Sequence, residues 1–241
     1  MSAVRPRIFD GRVLAAVSTR EGGVSAAPFG MNLSFNVGDA RGHVEENRRR
    51  FFGALAVSPQ ELAVPGQVHG TGILRISSPG AYPSTDALLT DRRRVFLCVT
   101  IADCVPVLIH ATDANAVMAV HAGWRGTASH IAREAAATMM REWGCDPVKM
   151  RVYIGPAASS CCYDVGDDVA AKFGEKFLRR ESGKTYLDLK AANVAQLTEL
   201  GVDPRNVEVS PHCTISEPLL FHSYRRDRQS SGRMMAVIGL Q

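Results

Sequence analysis

Three apolar runs in close succession, at residues 95–101, 105–110 and 116–120, constrain this chain more than any other feature. Short continuous runs rich in Val, Ile and Leu read as strands buried on both faces. Pro106 lies inside the second run and argues for an irregular or edge position there, because proline donates no ladder hydrogen bond. If the second and third runs are adjacent antiparallel strands, a tight turn at Thr112-Asp113-Ala114-Asn115 joins them. That turn brings Cys104, which opens one run, and His121, which closes the other, to the same end.

The flanking sequence supplies further elements. Residues 11–17 read as a first strand, followed by a glycine-rich loop over 18–32 that Asn36-Val-Gly-Asp39 prolongs. A loop of that length inside a compact domain is often functional. Residues 44–55 have helical spacing and carry a charged block, Glu45 to Arg50, that reads as a solvated face or as one arginine turned inward. Strand pattern returns at 62–68, ending in Gln67-Val68-His69-Gly70, and again at 71–77 and 85–90, with Asp86 at the mouth of the last and a turn at 79–83 between them. Thr127, or alternatively Ser129, is the expected N-cap of a helix that runs to Trp143 and stops at Gly144. Its N-terminus would face Gly123-Trp124-Arg125-Gly126, where free N–H groups and Arg125 favour an anion. A strand at 150–154 leads into a small-residue loop at 155–163. Helices are expected at 167–178 and 189–200, strands at 207–210 and 233–240, and a polar loop at 221–227.

These elements point to one mixed α/β domain over residues 1–241, with helices covering sheet faces; strand order is not readable. The chain of 241 residues has ample apolar content for a core, and its net charge of +4 comes from scattered arginines rather than a block. That balance weakly favours anionic substrates and does not suggest nucleic acid. No apolar run approaches the roughly 20 residues that span a bilayer, and no signal-peptide pattern opens the chain. The expectation is a cytoplasmic protein whose six cysteines are mostly reduced, with Cys98 in the core.

His69, Cys104 and His121 all fall at expected strand ends. Two imidazoles and a thiolate suit zinc, with a fourth position left for water or substrate. Zinc would bring the pKa of a bound water to about 7. The same residues would equally make a nucleophilic cysteine with a histidine base, oriented by Asp103 or Asp86. Two packed histidines and a buried thiol are the third possibility. Spacing alone leaves all three open.

The segments Gln67-Val68-His69-Gly70, Ala102-Asp103-Cys104-Val105-Pro106-Val107 and His121-Ala122-Gly123-Trp124-Arg125-Gly126-Thr127 resemble the YfiH-like family. Its members have been called multicopper polyphenol oxidoreductases, laccase-domain proteins and purine nucleoside phosphorylases. Thr19 to Ser25, Met31-Asn32-Leu33, Asn47-Arg48, Thr85 to Leu88, Ile154-Gly155-Pro156, Cys161-Cys162-Tyr163, Ser223 to Asp227 and Gly232-Arg233 extend the resemblance over nearly the whole chain. Ala157 stands where relatives often carry a cysteine.

The resemblance implies a single domain of packed mixed sheets flanked by helices, similar to the catalytic domain of a deamidating bacterial toxin. It implies zinc on His69, Cys104 and His121, and phosphorolysis of adenosine, inosine and methylthioadenosine to free base and ribose 1-phosphate, with adenosine deamination besides. Asn32, Arg48, Asp86 and Arg125 are expected to contact substrate or phosphate. Asp103, Cys104, His69 and His121 form the expected catalytic group, with Asp103 as a proton donor if a dry site raises its pKa. The expected partners are purine nucleosides and phosphate, with no nucleic acid or membrane, on a monomer or homodimer. Copper would bind the same ligands adventitiously. A copper-dependent polyphenol oxidase is the weaker alternative, because seven histidines without a His-x-His pair are few for an oxygen-reducing cluster. A cysteine hydrolase using Cys104 with His69 or His121 is the other.

Overall fold

The computed structural model describes residues 3–241. In chain order its strands are β1 (Ala3–Val4), β2 (Val13–Ser18), β3 (Leu62–Gly66), β4 (Ile73–Arg75), β5 (Gly80–Pro83), β6 (Ala87–Thr90), β7 (Phe96–Ile101) and β8 (Val105–Ala111). They continue as β9 (Ala116–Ala122), β10 (Met150–Ile154), β11 (Asp164–Val165), β12 (Leu178–Glu181), β13 (Lys184–Leu187), β14 (Val207–Val209) and β15 (Met234–Leu240). The α-helices are α1 (Arg41–Gly53), α2 (Trp124–Ala128), α3 (Ile131–Trp143), α4 (Asp167–Ala170), α5 (Leu189–Glu199) and α6 (Tyr224–Asp227).

The long apolar runs are explained by a four-layer stack. One mixed sheet has the order β1-β2-β15-β7-β3-β5, and a second has the order β14-β10-β8-β9-β6-β4. Because side chains alternate along a strand, each sheet needs an apolar residue at every position if both faces are covered. In β7, Leu97, Val99 and Ile101 meet Leu108, Val117 and Ala119 of the second sheet, while Phe96 and Cys98 meet Phe51 and Phe52 of α1. On the far face of the second sheet, Val107, Ile109, Met118 and Val120 pack on Ile131, Ala135 and Met139 of α3 and on Leu189 and Leu197 of α5. Cys98 is fully buried, as a core residue should be. The protein is thus a mixed α/β domain of packed mixed sheets flanked by helices. Among the described residues no helix is long and apolar enough to cross a membrane.

Helix α1 buries Val44, Asn47, Phe51 and Phe52 along one stripe. Asn47 ties down the long loop before it: its amide oxygen accepts the Val24 N–H at 2.8 Å, and its amide nitrogen lies 3.0 Å from the carbonyls of Gly30 and Asn32.

Several expectations from the sequence change, among them the polar loop expected at 221–227, which contains α6 with the Ser223 hydroxyl accepting the Arg226 N–H. The turn expected at 79–83 contains β5, which pairs parallel with β3 despite its glycine and proline; it is an edge strand, where a missing donor costs little. Pro106 is not on an edge strand, since β8 lies between β9 and β10. The proline is tolerated because Val107 is the last residue of β8 opposite β10, and Gly155, just beyond β10, donates its N–H to the Pro106 carbonyl at 2.9 Å. Thr127 is not an N-cap: it lies inside α2, its hydroxyl accepts from Asn193 at 3.1 Å, and α3 starts after a left-handed His130. Finally, the helix expected at 167–178 is only α4 and one 3₁₀ turn, and Leu178 opens the β12–β13 hairpin of a small third sheet ordered β11-β13-β12.

Candidate metal centre

Strand register assembles the site. Ala87 of β6 pairs with Val120 of β9, and Ala122 of β9 pairs with Val105 of β8. The residues just before β6 and β8 and the last turn of β9 therefore meet at one end of the second sheet. By alternation His121 shares the face of Val117 and Ala119, which points toward the first sheet. His69 follows β3 of the first sheet, so the site lies where the two sheets end together. The ligand atoms of His69, Cys104 and His121 all lie within 4.8 Å of one another, a group able to hold a metal ion. The two imidazoles meet edge to face, with centroids 4.8 Å apart.

Asp86 organises two of the three. It is fully buried, and one carboxylate oxygen lies 2.8 Å from Nδ1 of His121. The same carboxylate accepts the backbone N–H groups of His69 at 3.0 Å, Gly70 at 2.8 Å and Val68 at 3.3 Å. One side chain thus orients an imidazole and fixes the loop that carries the other. A carboxylate on Nδ1 leaves Nε2 for a metal, the arrangement common behind metal-bound histidines.

Cys104 is placed by its neighbour. Asp103 has φ of 91°, a region costly for a residue with a side chain. Its carboxylate is held on both oxygens, by the Thr214 hydroxyl at 2.7 Å and the Arg225 backbone N–H at 2.6 Å. The bend between β7 and β8 is therefore stabilised by segments far along the chain. Gly123 completes the cradle: a Cβ there would lie 3.0 Å from Sγ of Cys104 and 3.1 Å from the His69 ring.

The electrostatics favour a thiolate. Burial would push the Cys104 thiol up, but the charge and hydrogen bonding of His121 and His69 outweigh it and bring the thiol down to about 6. Burial would likewise depress His121; the Cys104 charge and the Asp86 hydrogen bond instead raise it to about 9. Asp86 stays below its ordinary value because hydrogen bonds from His121 and the Gly70 backbone exceed the opposing effect of burial. His69 is exposed, Cys104 half-buried and His121 buried, so the group opens on the His69 side.

The remaining expected residues divide. Arg125 is exposed, stacks at 4.4 Å on Trp124 and forms no ion pair among the described residues. Arg48 is the inward arginine of its charged block: Nε donates to the Leu33 carbonyl at 2.8 Å, while Arg49 and Arg50 pair with Glu46. It lines a cavity of about 760 Å³ together with Phe35, Gln67, Tyr82 and Thr100. None of the three ligands lines that cavity, although Gln67, clamped to Thr100, lies two residues before His69. Asn32 is buried with every polar atom used, and its oxygen accepts the N–H groups of Ser34 and Arg233. It lies beside Arg233, whose backbone N–H it accepts at 2.9 Å.

Three residues escaped the sequence reading. Burial and the Cys104 charge push Tyr163 up to about 12, and Arg225 lies 5.2 Å over its ring. Burial pulls Arg233 below its usual value, opposed by the charges of Asp103 and Cys104. Arg225 and Arg233 occur in the resembling C-terminal segments, which was the available signal; their placement around the Asp103–Cys104 bend was not.

A family model described as multi-copper polyphenol oxidoreductase laccase matches residues 14–241. A purine nucleoside phosphorylase of Deinococcus radiodurans is 41% identical over 231 residues, covering 93% of this chain and 88% of that protein. Purine nucleoside phosphorylase YlmD of Geobacillus stearothermophilus is 39% identical over 246 residues, covering 94% and 89%. The crystal structure of that organism's YlmD matches with a TM-score of 0.95 at 37% identity, covering 100% of this chain and 97% of that one. The crystal structure of the Bacillus licheniformis hypothetical protein YfiH matches with a TM-score of 0.90 at 35% identity, covering 95% and 93%.

Proposed function

The chain belongs to this YfiH-like, laccase-domain family, and from that premise we propose that it is a zinc-dependent purine nucleoside phosphorylase acting on adenosine, inosine and methylthioadenosine, with adenosine deaminase activity. The observation that carries the reading is the convergence of His69, Cys104 and His121 on one point, with Asp86 behind two of them. The donor set fits zinc: two borderline nitrogens and one sulfur already biased to thiolate, with space held open by Gly123. Zinc held by His69, Cys104 and His121 would supply Lewis acidity and would activate water at neutral pH.

The chain's own groups do the rest. Asp86 keeps the His121 ring in one orientation and holds the His69 loop against it. Phosphorolysis builds positive charge on the ribose while phosphate approaches the anomeric carbon. Arg125, two residues beyond Gly123 and without an ion pair among the described residues, binds that phosphate, and Arg48 adds positive charge in the cavity beyond Gln67. Asp103 is assigned to positioning Cys104, since both its oxygens already accept hydrogen bonds. Nucleosides and phosphate are small ligands that suit scattered arginines largely paired with carboxylates.

Product analysis with adenosine tests the proposal. Ribose 1-phosphate and adenine should appear only with phosphate, and inosine without it, and bound zinc should be lost in Cys104→Ala. Full activity in metal-free protein would overturn the metal requirement; phosphate-independent release of adenine would overturn phosphorolysis. The thiolate–imidazolium pairing of Cys104 and His121 also favours a second reading, a cysteine hydrolase. That enzyme would be inactivated by alkylation and indifferent to chelators. The oxidase reading has less support: among the described residues His69 and His121 are the only histidines in a metal-binding group, too few for a multi-copper cluster.

A further inference from the structure

A second cluster of metal-ligating atoms lies outside the site above. Cys161 and Cys162 occupy the tight turn after β10, where Cys162 and Tyr163 donate their N–H groups to the Ser159 carbonyl at 3.0 and 2.9 Å. Cys213 comes from the segment after β14, which runs beside the same loop: Ala157 bridges Cys213, and the Thr214 N–H reaches the Ala157 carbonyl at 3.1 Å. The three sulfurs lie within 4.8 Å of one another, with Sγ of Cys161 and Cys162 at 3.2 Å. None is in a disulfide. Cys161 is exposed, Cys162 half-buried and Cys213 buried, so the cluster has a built floor and an open entrance.

The floor is prepared for negative charge. Lys190 is buried nearby, its ammonium donating to the carbonyls of Ser210 at 2.9 Å and His212 at 2.7 Å. The nucleoside chemistry proposed above assigns these groups no role.

We propose that Cys161, Cys162 and Cys213 form a second metal site, an all-sulfur, three-coordinate site for a soft d¹⁰ cation, matched best by Cu(I). Metal–sulfur bonds of about 2.3 Å place three sulfurs about 4 Å apart, so the cluster closes on an ion by small side-chain shifts. Thiolates select soft cations. A structural zinc site takes four ligands, and no fourth histidine, cysteine or carboxylate among the described residues joins this group. The bound ion would link the loop of Tyr163 to the segment of Thr214, whose hydroxyl holds Asp103 beside Cys104. It would therefore brace the first site without belonging to it.

The test is anaerobic Cu(I) titration of the reduced full chain against a chromophoric Cu(I) chelator. Cys104→Ala, which removes a ligand of the first site, should still bind one Cu(I), with an X-ray absorption spectrum showing sulfur neighbours only. Cys161→Ser and Cys162→Ser, at the less buried positions, should each weaken that binding tenfold or more. Should Cys104→Ala not fold, wild type should bind one more equivalent than the Cys161→Ser/Cys162→Ser double variant. Unchanged binding in those serine variants, nitrogen or oxygen neighbours in the spectrum, or Zn(II) displacing Cu(I) at equal concentration would each overturn the proposal. So would a Cys162–Cys213 disulfide that persists under the reducing conditions of the titration.

Discussion

At the scale of single residues, the proposed metal site would depend on two groups that are not among its three ligands. Asp86 accepts from His121 and from three successive backbone N–H groups, and an amide in its place would have one acceptor oxygen for four donors. Asp86→Asn should therefore keep the fold and weaken zinc binding by about 10- to 100-fold. A chelator-competition titration measures this, and unchanged affinity would refute the orienting role. Gly123 leaves the space in which Cys104 and His69 face each other. Gly123→Ala should lower metal content with little change in melting temperature, because the added methyl meets ligands rather than core. Metal analysis beside a thermal melt checks both halves. The candidate ligands were legible as residue types at strand ends. The roles of Asp103 and Asn32 were not, because a carboxylate or amide near a motif looks the same in sequence whether it faces substrate or a backbone N–H 122 residues away.

At the scale of elements, the hairpin β8–β9 is the frame of the site, and its four-residue turn carries the register that sets Cys104 beside His121. Periodicity exposed this hairpin because both strands are covered on both faces. It failed where coverage is one-sided: β5 and β12 are edge strands with exposed residues, so no apolar pattern marks them. Pro106 misled for a different reason, since its tolerance depends on β10 ending one residue earlier. Gly155→Ala tests that junction. Its Cβ would lie 2.7 Å from Cγ of Pro106, so the strand end two residues from Cys104 must shift. A loss of about 1–3 kcal/mol in urea unfolding is expected, as for overpacking elsewhere. Unaltered stability would show that the junction relaxes freely.

At the scale of the whole molecule, the four-layer stack buries two histidines outside the triad, His110 and His222. His222 is fully buried, neither ring nitrogen meets a protein partner, and burial, reinforced by Arg20, Arg233 and Arg226 against Asp227, holds it down at about 3. His110 is depressed in the same direction by burial. With a folded value of about 3 against an unfolded one near 6.5, the unfolded chain takes up the proton first. Stability from a neutral His222 is therefore complete above pH of about 6.5 and is lost, at about 1.4 kcal/mol per pH unit, as pH falls toward 3. Urea midpoints between pH 7 and 4.5 should fall accordingly, and His222→Phe should flatten the slope by about one proton. An identical slope in the variant would assign the acid sensitivity elsewhere.

Sequence alone determined that this chain forms buried strands and covering helices, that Cys104 and His121 fall at the ends of two of those strands, and that the resemblance runs nearly end to end. Those properties are local: they follow from alternation, from turn chemistry and from short motifs. Only the tertiary structure decided that both sheets end at the same place, that Asp86 reaches both His121 and the loop of His69, and that Thr214 and Arg225 hold the bend at Asp103. It alone brought Cys213 to Cys161 and Cys162. Such contacts join residues far apart in the chain, and nothing in local composition distinguishes a polar side chain that will meet a distant partner from one that will meet water.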